Sequence, residues 1–308
     1  MFAIETDNLT KKYGDRKVVD SVNLQVKQGD IHGFLGKNGA GKSTLINMIN
    51  DIIQPTSGSY QLLGTDMLSI DMIMNRIGVL PDYSTFYDDL TPLQHLKYFD
   101  NIFNQKKSKS ELIDLLERVG LGNALNIKAK KFSFGMKKKL GIAQAIQNNP
   151  DLIFLDEPTS GVDAESALQI HSLLKELKSL GKTIFLTSHN LDEVQKLADE
   201  ISIMEGGKIK LQGSLRELQR AYQSSLNVYL RHSTIPNKYL DSIKNTFLSV
   251  GENVEVKPEE SQVTVDDESY IPKLTRSLND ISVDVYRIDV NEPNLEEIFI
   301  DLKDGTKS

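Results

Sequence analysis

The 308-residue chain contains no cysteine and no tryptophan. Disulfides and thiolate metal sites are thereby excluded, and the fold must hold without covalent staples. Long apolar runs are also missing, and none approaches the ~18 residues needed to cross a bilayer. The opening MFAIETDNLT is acidic where a secretory leader is basic and then apolar, so no leader is expected. A net charge of −7 argues against a nucleic-acid partner, which calls for a basic face. The missing staples are no handicap, because a chain of this length suits about two domains with ample core.

The charge that is present is unevenly placed. Residues 1–220 carry 27 lysines and arginines against 27 acids, whereas residues 221–308 carry 9 against 16. The whole acidic surplus lies in the tail, which sets a domain boundary near Ala221 and gives domains 1–220 and 221–308. Short strands and turns fill the first 30 residues, and Ile31 to Leu35 reads as a buried strand. Residues 86–147 read as mostly helical. Strand-like Leu152 to Leu155 and Thr183 to Leu186 flank a helix over 164–180, capped by Asp163 and stopped by Gly181. Strands alternating with helices predict a parallel α/β sheet. In the tail, strands at 225–231, 253–257, 261–265 and 281–288 alternate with helices at 236–248 and 269–279. This βαββαβ order, followed by a last helix over 294–303, is the ferredoxin-like α+β plan.

The most informative stretch is Gly36-Lys37-Asn38-Gly39-Ala40-Gly41-Lys42-Ser43-Thr44, a G-x-x-x-x-G-K-[ST] loop between a strand and a helix. Its glycines let backbone N–H groups turn inward as an anion nest, and the helix that follows aims its positive end at the same oxygens. Lys42 supplies a full charge for the β- and γ-phosphates, and the Ser43 hydroxyl can ligate Mg²⁺. A chance match occurs on the order of once per hundred chains of this length, before the strand-loop-helix context is counted. Downstream, the apolar run Leu152-Ile153-Phe154-Leu155 delivers Asp156 and Glu157 to the carboxyl edge of the sheet, where ligands bind in open α/β folds. Asp156 is the candidate carboxylate for Mg²⁺, and Glu157 the candidate group to polarise a water aimed at the γ-phosphate.

With these motifs in order, residues 2–218 resemble the ATP-binding cassette ATPases. Ser133-Phe134-Gly135-Met136-Lys137 resembles the family signature, usually LSGGQ. Ser160-Gly161-Val162-Asp163 resembles the loop after the acidic pair, His189 the switch histidine, and Tyr13 the aromatic that stacks on adenine. The resemblance implies a P-loop NTPase core with an N-terminal antiparallel β part and a helical subdomain inserted at about 84–147. It implies ATP and Mg²⁺ as cofactors, and a second ATPase subunit, identical or related, paired head to tail. Each ATP would lie between the phosphate loop of one copy and Ser133 and Gly135 of the other. It also implies an integral-membrane permease as a separate partner, and a peripheral place on the cytoplasmic face of the membrane.

Two positions depart from the family pattern. Asp82 stands where a glutamine is usual, as a shorter acceptor-only group in reach of Mg²⁺ through water. Phe134 stands where glycine is usual, and a phenylalanine does not easily take a positive φ. These departures, the tail's size and its ending Pro293 to Phe299 are similar to the drug, peptide and lipid export subfamily that includes bacitracin-resistance ATPases. Tyr83, Phe86, Tyr87, Tyr98, Phe99 and Phe103 fall where the family meets its membrane subunit. Tyr83 and Tyr87 are expected to dock, and the others to form the subdomain's own core. The lysines at 128, 130, 131, 137, 138 and 139 read as a solvated face, with attraction to ATP or an anionic leaflet as the alternative. The leading function is the ATPase subunit of an exporter. The competing readings are a soluble ATP-driven switch and an import ATPase, which the single phosphate loop and the βαββαβ tail respectively disfavour.

Overall fold

A computed structural model describes residues 1–82, 86–103, 105–222, 225–291 and positions 295, 296 and 298. The chain divides into two compact units, Met1–Leu215 and Arg216–Ser308.

The first unit opens with two long strands, β1 (Phe2–Tyr13) and β2 (Arg16–Lys27), joined by a turn at Gly14 with φ +57°. In β2, Val22, Leu24 and Val26 alternate inward with period 2. After β3 (Ile31–Leu35) and α1 (Lys42–Ile49) come β4 (Ser57–Leu62) and β5 (Thr65–Asp66), which complete an antiparallel sheet of order β2-β1-β4-β5. A 3-10 segment over Met67–Arg76 leads to β6 (Ile77–Leu80). Helices α2 (Pro92–Phe103), α3 (Lys109–Arg118) and α4 (Phe134–Ile146) follow, and α3 starts at a reciprocal cap between Ser108 and Glu111. Then come β7 (Leu152–Asp156), α5 (Ala164–Ser179), β8 (Thr183–Ser188), α6 (Leu191–Leu197), β9 (Glu200–Glu205) and β10 (Lys208–Gly213).

The second sheet has the order β10-β9-β3-β8-β7-β6. Its neighbours from β9 to β6 run parallel, and only β10 is antiparallel. Strands β3, β7 and β8 are buried at every residue, as a parallel sheet covered on both faces requires. Phe34 and Phe154 pack in tilted geometry on Phe185 across β3, β7 and β8, with centroids 5.2 and 5.7 Å away, and the three join Leu45, Met48 and Ile49 of α1 in one core. Because β3, β8, β7 and β6 are parallel neighbours, the four loops leaving them emerge at one sheet edge.

Helix α7 (Leu215–Tyr222) begins at the division. The second unit then runs β11 (Leu226–His232), α8 (Leu240–Leu248), β12 (Glu252–Val256), β13 (Glu260–Val265), α9 (Ile271–Asn279) and β14 (Val285–Asn291). Its sheet is antiparallel throughout with order β12-β13-β11-β14, the ferredoxin-like arrangement. Val228, Leu230, Val263 and Val265 face Ile243, Phe247, Leu274 and Leu278 of the two helices. The strand expected at 281–288 starts only at Val285. Ile281 to Val283 instead close the end of α9 through backbone bonds to Leu278 and Asn279, with Ser282 at φ +60° and Val283 in the core. The helix expected at 294–303 falls largely outside the described residues. Among the described residues, no helix is long and apolar enough to cross a membrane.

Candidate functional site

Four loops meet at the carboxyl edge of the parallel sheet. The glycine-rich loop leaves β3, the Asp156-Glu157 pair ends β7, Ser188-His189 ends β8, and Asp82 follows β6. Residues separated by more than a hundred positions thus become neighbours through strand order alone.

Backbone geometry shapes the glycine-rich loop. Gly39 has φ +81° and Gly41 φ +110°. A Cβ on Gly41 would lie 2.5 Å from the carbonyl oxygen of Val18, and one on Gly36 would lie 2.6 Å from that of Met204, so no side chain fits at either. Ala40 is buried and its carbonyl accepts from Gly207 N–H, while Lys37, Asn38 and Gly39 are exposed. Lys42 is 7% exposed, and its Nζ donates to the Gly36 carbonyl at 2.5 Å and the Lys37 carbonyl at 3.3 Å. Burial lowers its pKa, against the opposing pull of Glu157, Asp156 and Asp82. Ser43 and Thr44 lie in the first turn of α1, and the Ser43 hydroxyl is 3.5 Å from Asp156 Oδ2. A hydroxyl facing a carboxylate is the hard-oxygen donor set that Mg²⁺ takes when phosphates and water supply the rest, so the residues fit that ion.

Asp156 and Glu157 are adjacent but aim differently. Thr187 Oγ1 donates to Asp156 Oδ1 and accepts from Glu157 N–H at 3.1 Å. Glu157 has φ +51°, a left-handed conformation that ends the alternation of the strand, and its carboxylate takes a different partner from that of Asp156. Its Oε2 lies 2.8 Å from His189 Nδ1. Burial pushes the pKa of Glu157 up, opposed by His189 and then Lys42. A retained proton affinity at a half-buried carboxylate is what a proton acceptor needs.

Ser133 caps α4, its Oγ accepting from Met136 N–H at 3.2 Å. Phe134 lies in the first turn of that helix and is absent from the positive-φ residues, so its side chain meets no backbone conflict. Gly135 packs against α5, where an added Cβ would lie 3.1 Å from Ser166 Oγ and 3.4 Å from Asp163 Oδ2. Tyr13 ends β1, is 54% exposed, and has the Lys11 ammonium 5.4 Å from its ring centroid. No described contact links Tyr13 to the glycine-rich loop, which β2 reaches instead through Val18.

Two expectations are corrected. Lys138 and Lys139 are buried, at 4% and 7% exposure, not solvated. Lys138 Nζ donates to the Asp82 carbonyl at 3.1 Å, and Lys139 Nζ to Gln169 Oε1 at 2.6 Å. Lys128 and Lys130 do stay at the surface, paired with Asp89. Tyr98 and Phe103, expected in the subdomain core, are 43% and 48% exposed. The buried side of α2 is Pro92, His95, Leu96 and Asp100, which turns Tyr98, Ile102 and Phe103 outward beside the exposed Tyr87. Phe86 and Phe99 are half-buried, and Tyr83 lies outside the described residues.

The sequence reading missed Glu193. This carboxylate, 3% exposed, accepts from Thr159 Oγ1 at 2.5 Å, Ser188 Oγ at 2.7 Å and His171 Nε2 at 2.8 Å. It ties the segments after β7 and β8 to α5. Its place four residues after His189, with hydroxyls flanking both loops, was the available signal.

Comparison with known proteins agrees with this geometry. The family model described as ABC transporter matches residues 19–160. The chain is 36% identical to a bacitracin transport ATP-binding protein of Bacillus licheniformis, over 98% of this chain and 97% of that one. It is 30% identical to a daunorubicin/doxorubicin resistance ATP-binding protein of Streptomyces peucetius, over 97% and 92%. A dimeric ATP-binding cassette in a post-hydrolysis state with ADP and Pi superimposes with a TM-score of 0.63 at 26% identity, covering 69% of this chain and 99% of that one. The chain therefore belongs to the ATP-binding cassette family of transporter ATP-binding proteins, and it is an ATPase.

Proposed function

We propose that the chain is the ATP-hydrolysing subunit of an exporter, with Met1–Leu215 as the nucleotide-binding domain and the ferredoxin-like unit as an accessory domain. The convergence of four motif loops at one sheet edge carries this reading. Gly36 to Thr44 cradle the phosphates of ATP, with Lys42 leaving its own loop carbonyls for the β- and γ-oxygens. Tyr13 stacks on the adenine. Ser43 and Asp156 would hold Mg²⁺, and Asp82 is a further candidate on the same side. When bound, the ion offsets charge on the β- and γ-phosphates.

Glu157 accepts the proton of the attacking water as its oxygen bonds to the γ-phosphorus and the bridging oxygen leaves with ADP. His189, 2.8 Å away, orients that carboxylate and contacts the γ-phosphate. Two ATPase subunits, identical or related, pair head to tail, so that Ser133 and the Gly135 N–H at the start of α4 meet the partner's γ-phosphate. ATP binds the closed pair more tightly than the open one, and hydrolysis removes that preference.

The partner in the membrane is an integral permease. It docks on the face of Tyr87, Tyr98, Ile102 and Phe103, exposed aromatic and aliphatic anchors of the kind that dominate interfaces. The chain then works as a peripheral protein on the cytoplasmic face. The relatives' names concern bacitracin, daunorubicin and doxorubicin, which supports export of an amphipathic antimicrobial or drug-like molecule. Affinity purification from gently solubilised membranes tests the reading. An integral protein encoded beside this chain, stimulating its ATP turnover, is the expected companion. Ribosomes or DNA in its place would overturn export in favour of a soluble switch.

A further inference from the structure

The two positions that depart from the family pattern, Asp82 and Phe134, meet on one side chain. Lys138 lies one turn after Phe134 on α4, with its side chain 5% exposed. Its ammonium donates to the Asp82 carbonyl at 3.1 Å, faces the Asp82 carboxylate at 3.5 Å, and lies 5.7 Å from the Phe134 ring centroid. A buried ammonium needs partners, and among the described residues these are one carbonyl, one carboxylate and one π face. The ring also lies close to Gly161. There φ is +72°, a conformation that favours glycine, and an added Cβ would lie 3.2 Å from a ring carbon, a tight contact. Contacts therefore run from Gly161, after the acidic pair, through Phe134 and Lys138 to Asp82, after β6. On α4 itself the neighbouring Lys139 grips Gln169 of α5.

We propose that Lys138 is a positioning residue for ATP hydrolysis: it fastens the Asp82 loop and the Phe134 ring to one buried ammonium, and so fixes the start of α4, with Ser133 and Gly135, relative to the phosphate loop. This rests on the proposed role of Ser133 and Gly135 toward a partner's nucleotide. Asp82 carries the negative charge because its counterpart is a lysine, and a glutamine there would leave that ammonium without an anion. Phe134 replaces glycine because its ring closes the gap between Lys138 and Gly161. The phosphate loop makes none of these contacts. Removing the lysine therefore leaves nucleotide capture intact and disturbs what the signature does for the partner's ATP.

The test uses the full chain with Lys138→Met, Lys138→Arg, Asp82→Asn and the Asp82→Asn/Lys138→Met double variant. Affinity for a fluorescent ATP analogue is read by titration, and kcat and KM from phosphate release. Closed-dimer formation is read by gel filtration with ATP in a Glu157→Gln background. Lys138→Met is expected to keep nucleotide affinity within about twofold while kcat and closed dimer fall about tenfold or more. The guanidinium of Lys138→Arg, which can serve the same three partners, recovers most of that loss. The double variant loses less than the product of the two single losses, because the two changes share one contact. The proposal is overturned if Lys138→Met lowers affinity and turnover together, if it leaves turnover unchanged, or if the two single losses multiply. Should Lys138→Met not fold, Lys138→Gln, which keeps a donor for the Asp82 carbonyl but no charge, decides through the same split between affinity and turnover. A wild-type chain that binds no ATP would instead overturn the function on which this rests.

Discussion

Replacing Glu157 by glutamine separates chemistry from binding. The amide has the same shape, so it keeps the φ of +51° and the space beside His189 Nδ1, 2.8 Å away. It has no basicity. Loss of a positioned general base costs about 10²- to 10⁴-fold in turnover, equivalent to ~3–5 kcal/mol on the barrier. Stability moves the other way. Burial raises the pKa of Glu157, so the folded chain holds that proton more tightly than the unfolded chain does. The ionised carboxylate is then a cost to folding that appears as pH rises above the unfolded value of 4.5. Glutamine removes this cost, so the variant is expected to melt at or slightly above the wild-type temperature at pH 7.5, with the difference vanishing below pH 4.5. Nucleotide affinity persists, because Lys42 and the glycine-rich loop are untouched, and ATP accumulates a closed dimer visible by gel filtration. Phosphate release within fivefold of the wild type would remove Glu157 from the chemistry. Lost ATP affinity would show that it serves the fold of the site instead.

Lys42→Ala removes a charge-assisted contact of about 1.5–3 kcal/mol, so equilibrium binding should show ATP affinity lower by about 10- to 150-fold, and an unchanged affinity would dismantle the loop assignment. Glu193→Gln turns one of the two acceptor oxygens into an NH₂, which then faces the donor of Ser188 or those of Thr159 and His171. Chemical denaturation is expected to register a loss of ~1–3 kcal/mol together with slower turnover, and equal stability would mean the three donors simply reorient. His32 is buried against Phe185, with its pKa pushed down to about 3 by desolvation. The unfolded chain takes up the proton near pH 6.5 and the folded chain does not until about pH 3. His32 thus supports the fold above pH 6.5 and costs it about 1.4 kcal/mol at pH 5.5. His32→Gln should flatten that part of the acid limb in denaturant titrations at pH 7.5 and 5.5, and parallel limbs would refute the assignment.

Much of the site was legible because its chemistry is written in short, contiguous words. The loop from Gly36 to Thr44 needs its glycines at fixed offsets, and Leu152 to Asp156 is a buried strand with a carboxylate at its end. What contiguous reading does not supply is partnership across the chain. Lys138 belongs to a run of three lysines that looks solvated, and its burial is decided by Asp82, 56 residues earlier. Lys139 depends in the same way on Gln169, 30 residues later. The exposure of Tyr98 follows from which side of α2 carries His95 and Leu96, a choice set by neighbouring helices and not by composition. Strands such as β5, two residues long, and β6, four, are too short to carry a period of their own.

The pair at the end of β7 shows why two adjacent acids can hold different tasks. In an extended strand, consecutive side chains point to opposite faces, so Asp156 and Glu157 would be separated by the sheet if the strand continued. The left-handed turn at Glu157 keeps both carboxylates on the loop side of the sheet edge. A non-glycine residue held there costs of order 1–3 kcal/mol, and it persists only when its surroundings fix it. Here Thr187 does so. Its carbonyl and its hydroxyl both accept from Glu157 N–H, at 3.2 and 3.1 Å, while the same hydroxyl donates to Asp156. One threonine on β8 thus holds the strained residue and its neighbour, and β8 also carries the chain on to His189, the partner of Glu157. The strain is therefore tied to the parallel pairing of β7 and β8, Asp156 opposite Thr187, which sets the hydroxyl under both acids.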